Sequence, residues 1–308
     1  ILFHEDITGH EITQTLLNEV LRCENIELRE HTTLLDFFAD ASACGGVIAA
    51  GPDGEPRAIG AGAVVLACGG IGGLYKNSTN FPHITGDAIA MALRHGVACE
   101  HLDYIQIHPT TLYSHRKGRR FLISESVRGE GALLLDKNGN RFTNELQPRD
   151  VVSAAIRAQM EKDSTDHVWE DMRPIGEAAI REHFPNILER CEEEGYDPIH
   201  EPIPVVPAQH YFMGGITADL SSRTALPRLY ACGETCCNGV HGRNRLASNS
   251  LLESLVFAQR AADDILYGEP PVFTGDKPDL APYREQEPLF AAYRQEVLTA
   301  IERSKNPE

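Results

Sequence analysis

The sequence predicts an α/β domain interrupted by an inserted region of mixed α and β structure. Two short apolar runs, Ala63–Cys68 (AVVLAC) and Leu229–Cys232 (LYAC), read as buried parallel strands, and glycine follows each. Between them, from about His101, the texture changes to charged helices, turn signals and a Pro-rich crossing. Strand–glycine–helix segments flanking a region of different character make one interrupted domain the economical arrangement. The 308 residues suffice for two domains with cores of their own.

The elements follow in order. Residues 8–22 carry Ile12, Leu16, Leu17, Val20 and Leu21 at helical spacing. Strand-like runs come next at Glu27–Leu28, Leu34–Phe38 and Val47–Ala50, and Gly51-Pro52-Asp53-Gly54 is a turn. The run Ala63–Cys68 ends in Gly69-Gly70-Ile71-Gly72-Gly73, and Gly86–Arg94 reads as a helix with Asp87 in its first turn. Leu133–Leu135 with Asp136-Lys137-Asn138-Gly139-Asn140 reads as a hairpin. Pro148–Lys162 is a helix whose apolar side holds Val151, Val152, Ala155, Ile156 and Met160, with Pro148 suited to the first turn. The segment Glu177–Tyr196 is charged and helical, and its run Glu192-Glu193-Glu194 is expected on a solvated face. Pro202–Pro207 reads as an extended crossing back to the first domain. After Leu229–Cys232 come a Gly-rich loop, a helix from about Asn249 to Tyr267, a Pro/Gly linker over 269–282, and a last helix over 283–303 with nothing evident to pack against.

Composition narrows the function classes. A net charge of −17 repels nucleic acid and anionic membrane surfaces, so neither is expected as a partner. It does not exclude a small acidic substrate, because charge in a cleft can oppose the global field. The 8 cysteines are scattered without paired zinc-ligand spacings, which points to idle thiols in a reducing compartment and to no metal. No apolar run has bilayer-spanning length and no signal peptide is visible, so the expected location is cytoplasmic. The chain opens at Ile1 without Met, and a fragment lacking its true N-terminus is the expectation.

The chemistry-bearing residues cluster after the two strands. Glycines following a buried strand let a cofactor approach the backbone, yet no GxGxxG occurs, and Gly69–Gly73 serves equally as a tight turn. Glu234 lies just past the end of the second strand, where open α/β sheets bind ligands and a carboxylate accepts from sugar-alcohol hydroxyls. Ser250 with Glu253 fits a capping box, with Ser248 or Asn249 as alternative caps. A helix beginning there offers free N–H groups and partial positive charge, suited to an anionic cofactor or to nothing more than a capped helix.

The whole string carries more than its parts. Ala67–Tyr75 (ACGGIGGLY), Thr85–Met91 (TGDAIAM), Ile107–Tyr113 (IHPTTLY), Ser124–Leu133 (SESVRGEGAL), Gln147–Val152 (QPRDVV), His210–Ile216 (HYFMGGI) and Tyr230–Glu253 resemble, in order, the blocks of the succinate dehydrogenase, fumarate reductase and L-aspartate oxidase flavoproteins. The resemblance extends to about Leu280. It implies a Rossmann-like FAD-binding domain, truncated at its start, over 1–101 and 211–280. An α+β capping domain over 102–210 interrupts it, and the start of a C-terminal helical domain follows at 281–308. The family's N-terminal βαβ unit, which grips the FAD pyrophosphate, has no counterpart in this sequence. Ala247-Ser248 stand where the succinate and fumarate enzymes have glycines, and this favours the aspartate oxidase branch.

That branch implies FAD as cofactor, L-aspartate as substrate, and O2 or fumarate as oxidant. The product, iminoaspartate, would feed quinolinate synthase and NAD biosynthesis. The alternatives are a succinate dehydrogenase or fumarate reductase flavoprotein, and an inactive truncated binding module. By the same resemblance, His108, Ser124, Glu125, His210 and Arg245 bind substrate, and Arg149 transfers the proton. Asp87, Glu234, Asn249, Ser250 and Leu251 contact FAD. Physically, Arg245 offers the planar fork that suits a carboxylate. Arg149 is a poor base unless burial and neighbours make its neutral form accessible; otherwise it is an electrostatic clamp. Glu125 and Arg128 are placed to form an ion pair. Ser124 replaces the family's Thr and keeps the hydroxyl without the methyl that fixes its rotamer. Arg243 replaces a small residue, an added cation able to alter substrate preference.

Overall fold

The computed structural model describes residues 7–306. Helix α1 (Thr8–Arg22) takes the first helically spaced run. Strands β1 (Thr33–Ala39), β2 (Cys44–Ala50) and β3 (Pro56–Gly60) follow, then β4 (Val64–Leu66) and a 3-10 turn over Gly72–Leu74. Next are α2 (Asp87–Arg94), β5 (Cys99–Glu100), β6 (Ile105–Leu112), α3 (Glu125–Gly129) and β7 (Leu133–Leu135). They lead to α4 (Arg149–Asp163), β8 (Val168–Asp171), α5 (Glu177–His183), α6 (Pro185–Glu193) and β9 (Ile203–Phe212). The chain closes with β10 (Gly215–Thr217), β11 (Leu229–Ala231), β12 (Cys236–Cys237), α7 (Asn249–Tyr267) and α8 (Gln286–Lys305). Among the described residues no helix is long and apolar enough to cross a membrane.

The described residues divide into two compact units, one of 7–27, 75–82 and 106–210, the other of 28–74, 83–105 and 211–306. In the second unit, β1, β2 and β3 form an antiparallel meander, and β4 pairs in parallel with β11 through Val64–Leu229, Val65–Tyr230 and Leu66–Ala231. Three-residue strands suffice here because the parallel pair only has to deliver two loops to the same end. Helix α2 buries Ala88 through Met91 and Ala92 in succession. It packs on α8, whose Tyr293, Val297 and Ile301 are buried at helical spacing, so α8 does have a packing partner, contrary to the sequence expectation. Arg94 fastens the pair by a bidentate bond to Glu296 at 2.7–3.0 Å.

The first unit is built on the sheet β6-β9-β8-β7. Its core is Leu112, Ile123, Val127, Leu134, Val152, Ile156, Met172 and their neighbours. The Pro-rich crossing is in fact the buried strand β9. Pro204 sits opposite Trp169, and its carbonyl accepts the Tyr113 amide at 2.9 Å, just beyond the end of β6; Pro207 lies past the end of β8. Each missing N–H therefore falls where the neighbouring ladder has stopped.

Other sequence expectations also change. Glu27–Leu28 forms no strand. Leu133–Leu135 pairs with β8, and only Leu135–Arg141 bridges the expected hairpin. Glu177–Tyr196 is two helices, because Pro185 starts a second one. Pro148 is the N-cap of α4 and Arg149 its first residue. The Glu194 carboxylate is not solvated but accepts from Ser114 at 2.9 Å and Arg190 at 3.2 Å.

Candidate active site

In the first unit, β6 presents Gln106, His108 and Thr110 at alternate positions of one strand face. His108 is 1% exposed. Its Nδ1 lies 2.9 Å from the Thr110 carbonyl and 3.2 Å from the Thr110 amide, while Nε2 has no hydrogen-bond partner among the described residues. Burial first, then the His210 ring and the charges of Arg149 and Arg128, push its pKa well below the usual imidazole range. His108 is thus a neutral imidazole at physiological pH. The His210 ring, from β9, stands edge-on at 5.2 Å.

Arg149 is drawn into the same cluster by its place at the start of α4. Its Nε and Nη2 donate to Glu125 Oε2 at 2.8 and 2.6 Å, and Nη1 donates to Gln106 Oε1 at 2.9 Å. A cation at a helix N-terminus opposes the helix dipole, and the paired carboxylate offsets that cost. Glu125 is itself the first residue of α3, a favourable place for its charge. Ser124 is the N-cap of α3, accepting from the Ser126 amide at 3.3 Å and sharing a bond with the Ser126 hydroxyl at 2.7 Å. Gln106 went unread in the sequence, although a polar residue two before His108 in a buried strand was the available signal.

The expected Glu125–Arg128 ion pair does not form, because Glu125 binds Arg149. Arg128 is buried and donates through Nη1 to the Glu145 carbonyl at 2.6 Å. Its Nε and Nη2, and both oxygens of the wholly buried Glu170 on β8, have no hydrogen-bond partner among the described residues. Burial pushes the Glu170 carboxyl up to about 8, against the pull of Arg128. Cys191 and Glu145 are the other titratable groups facing it. The folded protein therefore holds this proton through a range, above the ordinary value of 4.5, in which the unfolded chain has lost it. Stability contributed by Glu170 is full below about pH 4.5 and is lost as pH rises through about 8. Relative to Glu170→Gln, the wild type is expected to lose on the order of 3 kcal/mol between pH 5 and 8. Parallel urea-unfolding curves across that range test this, and a constant difference would refute it.

In the second unit, the ends of β4 and β11 bring Gly69-Gly70 to Glu234. Thr235 Oγ1 donates to the Gly69 carbonyl at 3.0 Å, and Glu234 Oε1 accepts the Phe212 amide at 2.9 Å. A Cβ on Gly70 would lie 2.6 Å from that same carboxylate oxygen. Burial pushes Glu234 up to about 7, opposed by the Phe212 bond and Arg245. Asp87, first residue of α2, accepts from Thr85 Oγ1 at 2.7 Å, and burial raises its pKa.

Arg245 is buried, its guanidinium 4.5 Å over the Tyr211 ring, with Nη1 3.3 Å from Ser250 Oγ and 3.2 Å from the Leu246 carbonyl. Ser250 and Glu253 do not form a capping box. Ser248 is the N-cap residue with φ 66° and no side-chain cap bond, and Asn249 and Leu251 lie in the first turn of α7. Glu253 instead accepts from Tyr211 at 2.9 Å and from Asn238 and His241 at 2.7 Å each, tying the Gly-rich loop to the helix. Arg243 is exposed, 3.7 Å from the Asp103 carboxylate and 5.4 Å over the Tyr104 ring.

Residues 3–251 match the family described as FAD binding domain. The chain belongs to the FAD-binding domain family. Its fold is that of the succinate dehydrogenase and fumarate reductase flavoproteins. Quinol-fumarate reductase with menaquinol molecules superposes with a TM-score of 0.80 at 34% identity, covering 97% of this chain and 54% of that one. A variant of the E. coli quinol fumarate reductase superposes at 0.79 and 32%, covering 98% and 54%. L-aspartate oxidase of Clostridium perfringens is 50% identical over 266 residues, 86% of this chain and 60% of that protein. That of Nostoc is 44% identical over 316 residues, 96% and 54%. The chain thus spans little more than half the length of these relatives. This member of the FAD-binding domain family has residues that fit the cofactor. The side-chain-free backbone at Gly69-Gly70 and the Glu234 carboxylate meet at the carboxyl ends of two parallel strands, where a polyhydroxylated cofactor arm is held.

Proposed function

We propose that the protein is an L-aspartate oxidase, converting L-aspartate to iminoaspartate. The observation carrying this reading is the neutral, buried His108 beside His210, with Arg149 locked to Glu125 in the same unit. Two imidazoles and a guanidinium suit a dicarboxylate, and the neutral His108 ring can donate without adding repelling charge near Arg149.

Within the first unit, His108, His210 and the Ser124 hydroxyl donate to substrate carboxylate oxygens. In the second unit, Arg245 carries the planar fork that suits a carboxylate. Arg149 handles the proton that leaves the substrate, with Glu125 at 2.6 Å as its onward acceptor. Asp87, Glu234, Asn249, Ser250 and Leu251 hold FAD. When bound, FAD supplies the acceptor for the hydride leaving the substrate Cα, and O2 or fumarate is the final oxidant. A cytoplasmic setting and delivery of iminoaspartate to quinolinate synthase for NAD synthesis belong to the same reading. Support comes from relatives named L-aspartate oxidase at 44–50% identity, against 32–34% for the fumarate reductases above.

The test is oxidation of L-aspartate and of succinate by the full-length protein loaded with FAD. Peroxide released with aspartate and no reaction with succinate is expected. Succinate oxidation alone would instead make it a succinate dehydrogenase or fumarate reductase.

A further inference from the structure

We propose that Thr79 is a positioning residue that fixes the His210 imidazole as its Nε2–H tautomer, so that His210 meets the substrate carboxylate as a neutral donor. The inference rests on the reading of His210 as a carboxylate ligand.

The segment holding Thr79 is fastened beside β9 from several sides. The Thr79 amide donates to the Gln209 carbonyl at 2.9 Å, and the Gln209 amide donates to the Asn77 carbonyl at 2.9 Å. Ser78 Oγ and Asn80 Nδ2 both donate to Gln209 Oε1, at 2.7 and 3.2 Å. Arg120 adds two more bonds, its amide to the Ser78 carbonyl at 2.7 Å and its Nε to Asn77 Oδ1 at 3.0 Å. Thr79 therefore has little freedom, and as a β-branched residue it is stiff at χ1.

Its hydroxyl lies 2.9 Å from His210 Nδ1 and 3.4 Å from the Gln209 carbonyl. A hydroxyl has one proton to give. Of the two acceptors in reach, the Gln209 carbonyl at 3.4 Å is at the far edge of hydrogen bonding and Nδ1 is the closer. The closer contact assigns the hydroxyl proton to Nδ1 as acceptor, and the ring then carries its own proton on Nε2. A carboxylate can only accept, so this tautomer is the neutral one that can bind it through Nε2. Thr79 does for His210 what a carbonyl or carboxylate does for many functional histidines, but with the opposite polarity.

Nitrogen-15 NMR of the histidine side chains tests the tautomer in the full-length protein without turnover. Wild type is expected to show His210 protonated at Nε2 only, and Thr79→Val to show Nδ1–H or a mixture. In steady-state kinetics with L-aspartate, Thr79→Val should raise KM about tenfold, with kcat changed far less. Thr79→Ser, which keeps the hydroxyl, should restore KM to within about twofold. An Nδ1–H or doubly protonated His210 in wild type, an unchanged tautomer in Thr79→Val, or equal losses in both variants would overturn the proposal. Failure of the full-length protein to oxidise L-aspartate would count against the functional reading alone, because the NMR result stands independently of turnover.

Discussion

Arg149→Leu in the full-length protein is expected to lower kcat/KM for L-aspartate by about 10³-fold, roughly 4 kcal/mol of transition-state stabilisation. The residue is 9% exposed and all of its guanidinium nitrogens are engaged, two with Glu125 and one with Gln106. Leucine removes the charge and the proton route to Glu125 that we propose, and it strands the Glu125 carboxylate without its cation. Arg149→Lys keeps the charge but cannot bridge Glu125 and Gln106 in one plane, so an intermediate loss is expected. The check is steady-state kinetics together with the flavin absorbance spectrum. A spectrum like wild type with activity within tenfold would remove Arg149 from the chemistry.

Glu253→Leu is expected to destabilise the unit containing α7 by roughly 3–5 kcal/mol. Three groups, the Tyr211 hydroxyl, the Asn238 amide and the His241 ring, converge on this carboxylate, and all lose their acceptor in a buried place. Burial works to raise the Glu253 pKa, but the bonds from His241, Tyr211 and Asn238 together hold it below its ordinary value of 4.5. A depressed carboxyl contributes stability that is present above its unfolded pKa and lost as pH falls through the folded one. The gap between wild type and Glu253→Leu should therefore be widest near neutral pH and narrow below about pH 4.5. Chemical denaturation at pH 7 and pH 4 measures both, and a difference under 1 kcal/mol at pH 7 would mean the network is not structural.

The two results bear on what local sequence can carry. Helix α7 was legible over Asn249–Tyr267 because its apolar stripe and its start lie within one stretch of chain. The short strands β4 and β11 were legible as apolar runs ending in glycine. Strand β9 was not, because Pro204 and Pro207 argue against a strand until the lengths of its neighbours are known. Nor was the packing of α8, whose partner α2 lies some two hundred residues earlier. In the site, residue types in family order pointed to His108, Arg149 and His210. They left out residues that contact these groups or their neighbours, Thr79 beside His210, Gln106 beside Arg149 and Glu170 near Arg128. Glu125 was assigned to Arg128 when it binds Arg149, since two arginines within reach of one carboxylate look alike in sequence. Glu253 looked like a local cap and is a long-range acceptor.

The close approach at Gly70 reaches beyond this one chain. Any side chain there must displace the Glu234 carboxylate, and moving that carboxylate breaks its bond to the Phe212 amide. The two positions are distant in sequence but share one volume. A side chain at position 70 is accommodated only if residue 234 gives way, so among related chains a residue larger than glycine at 70 should be accompanied by a change at 234.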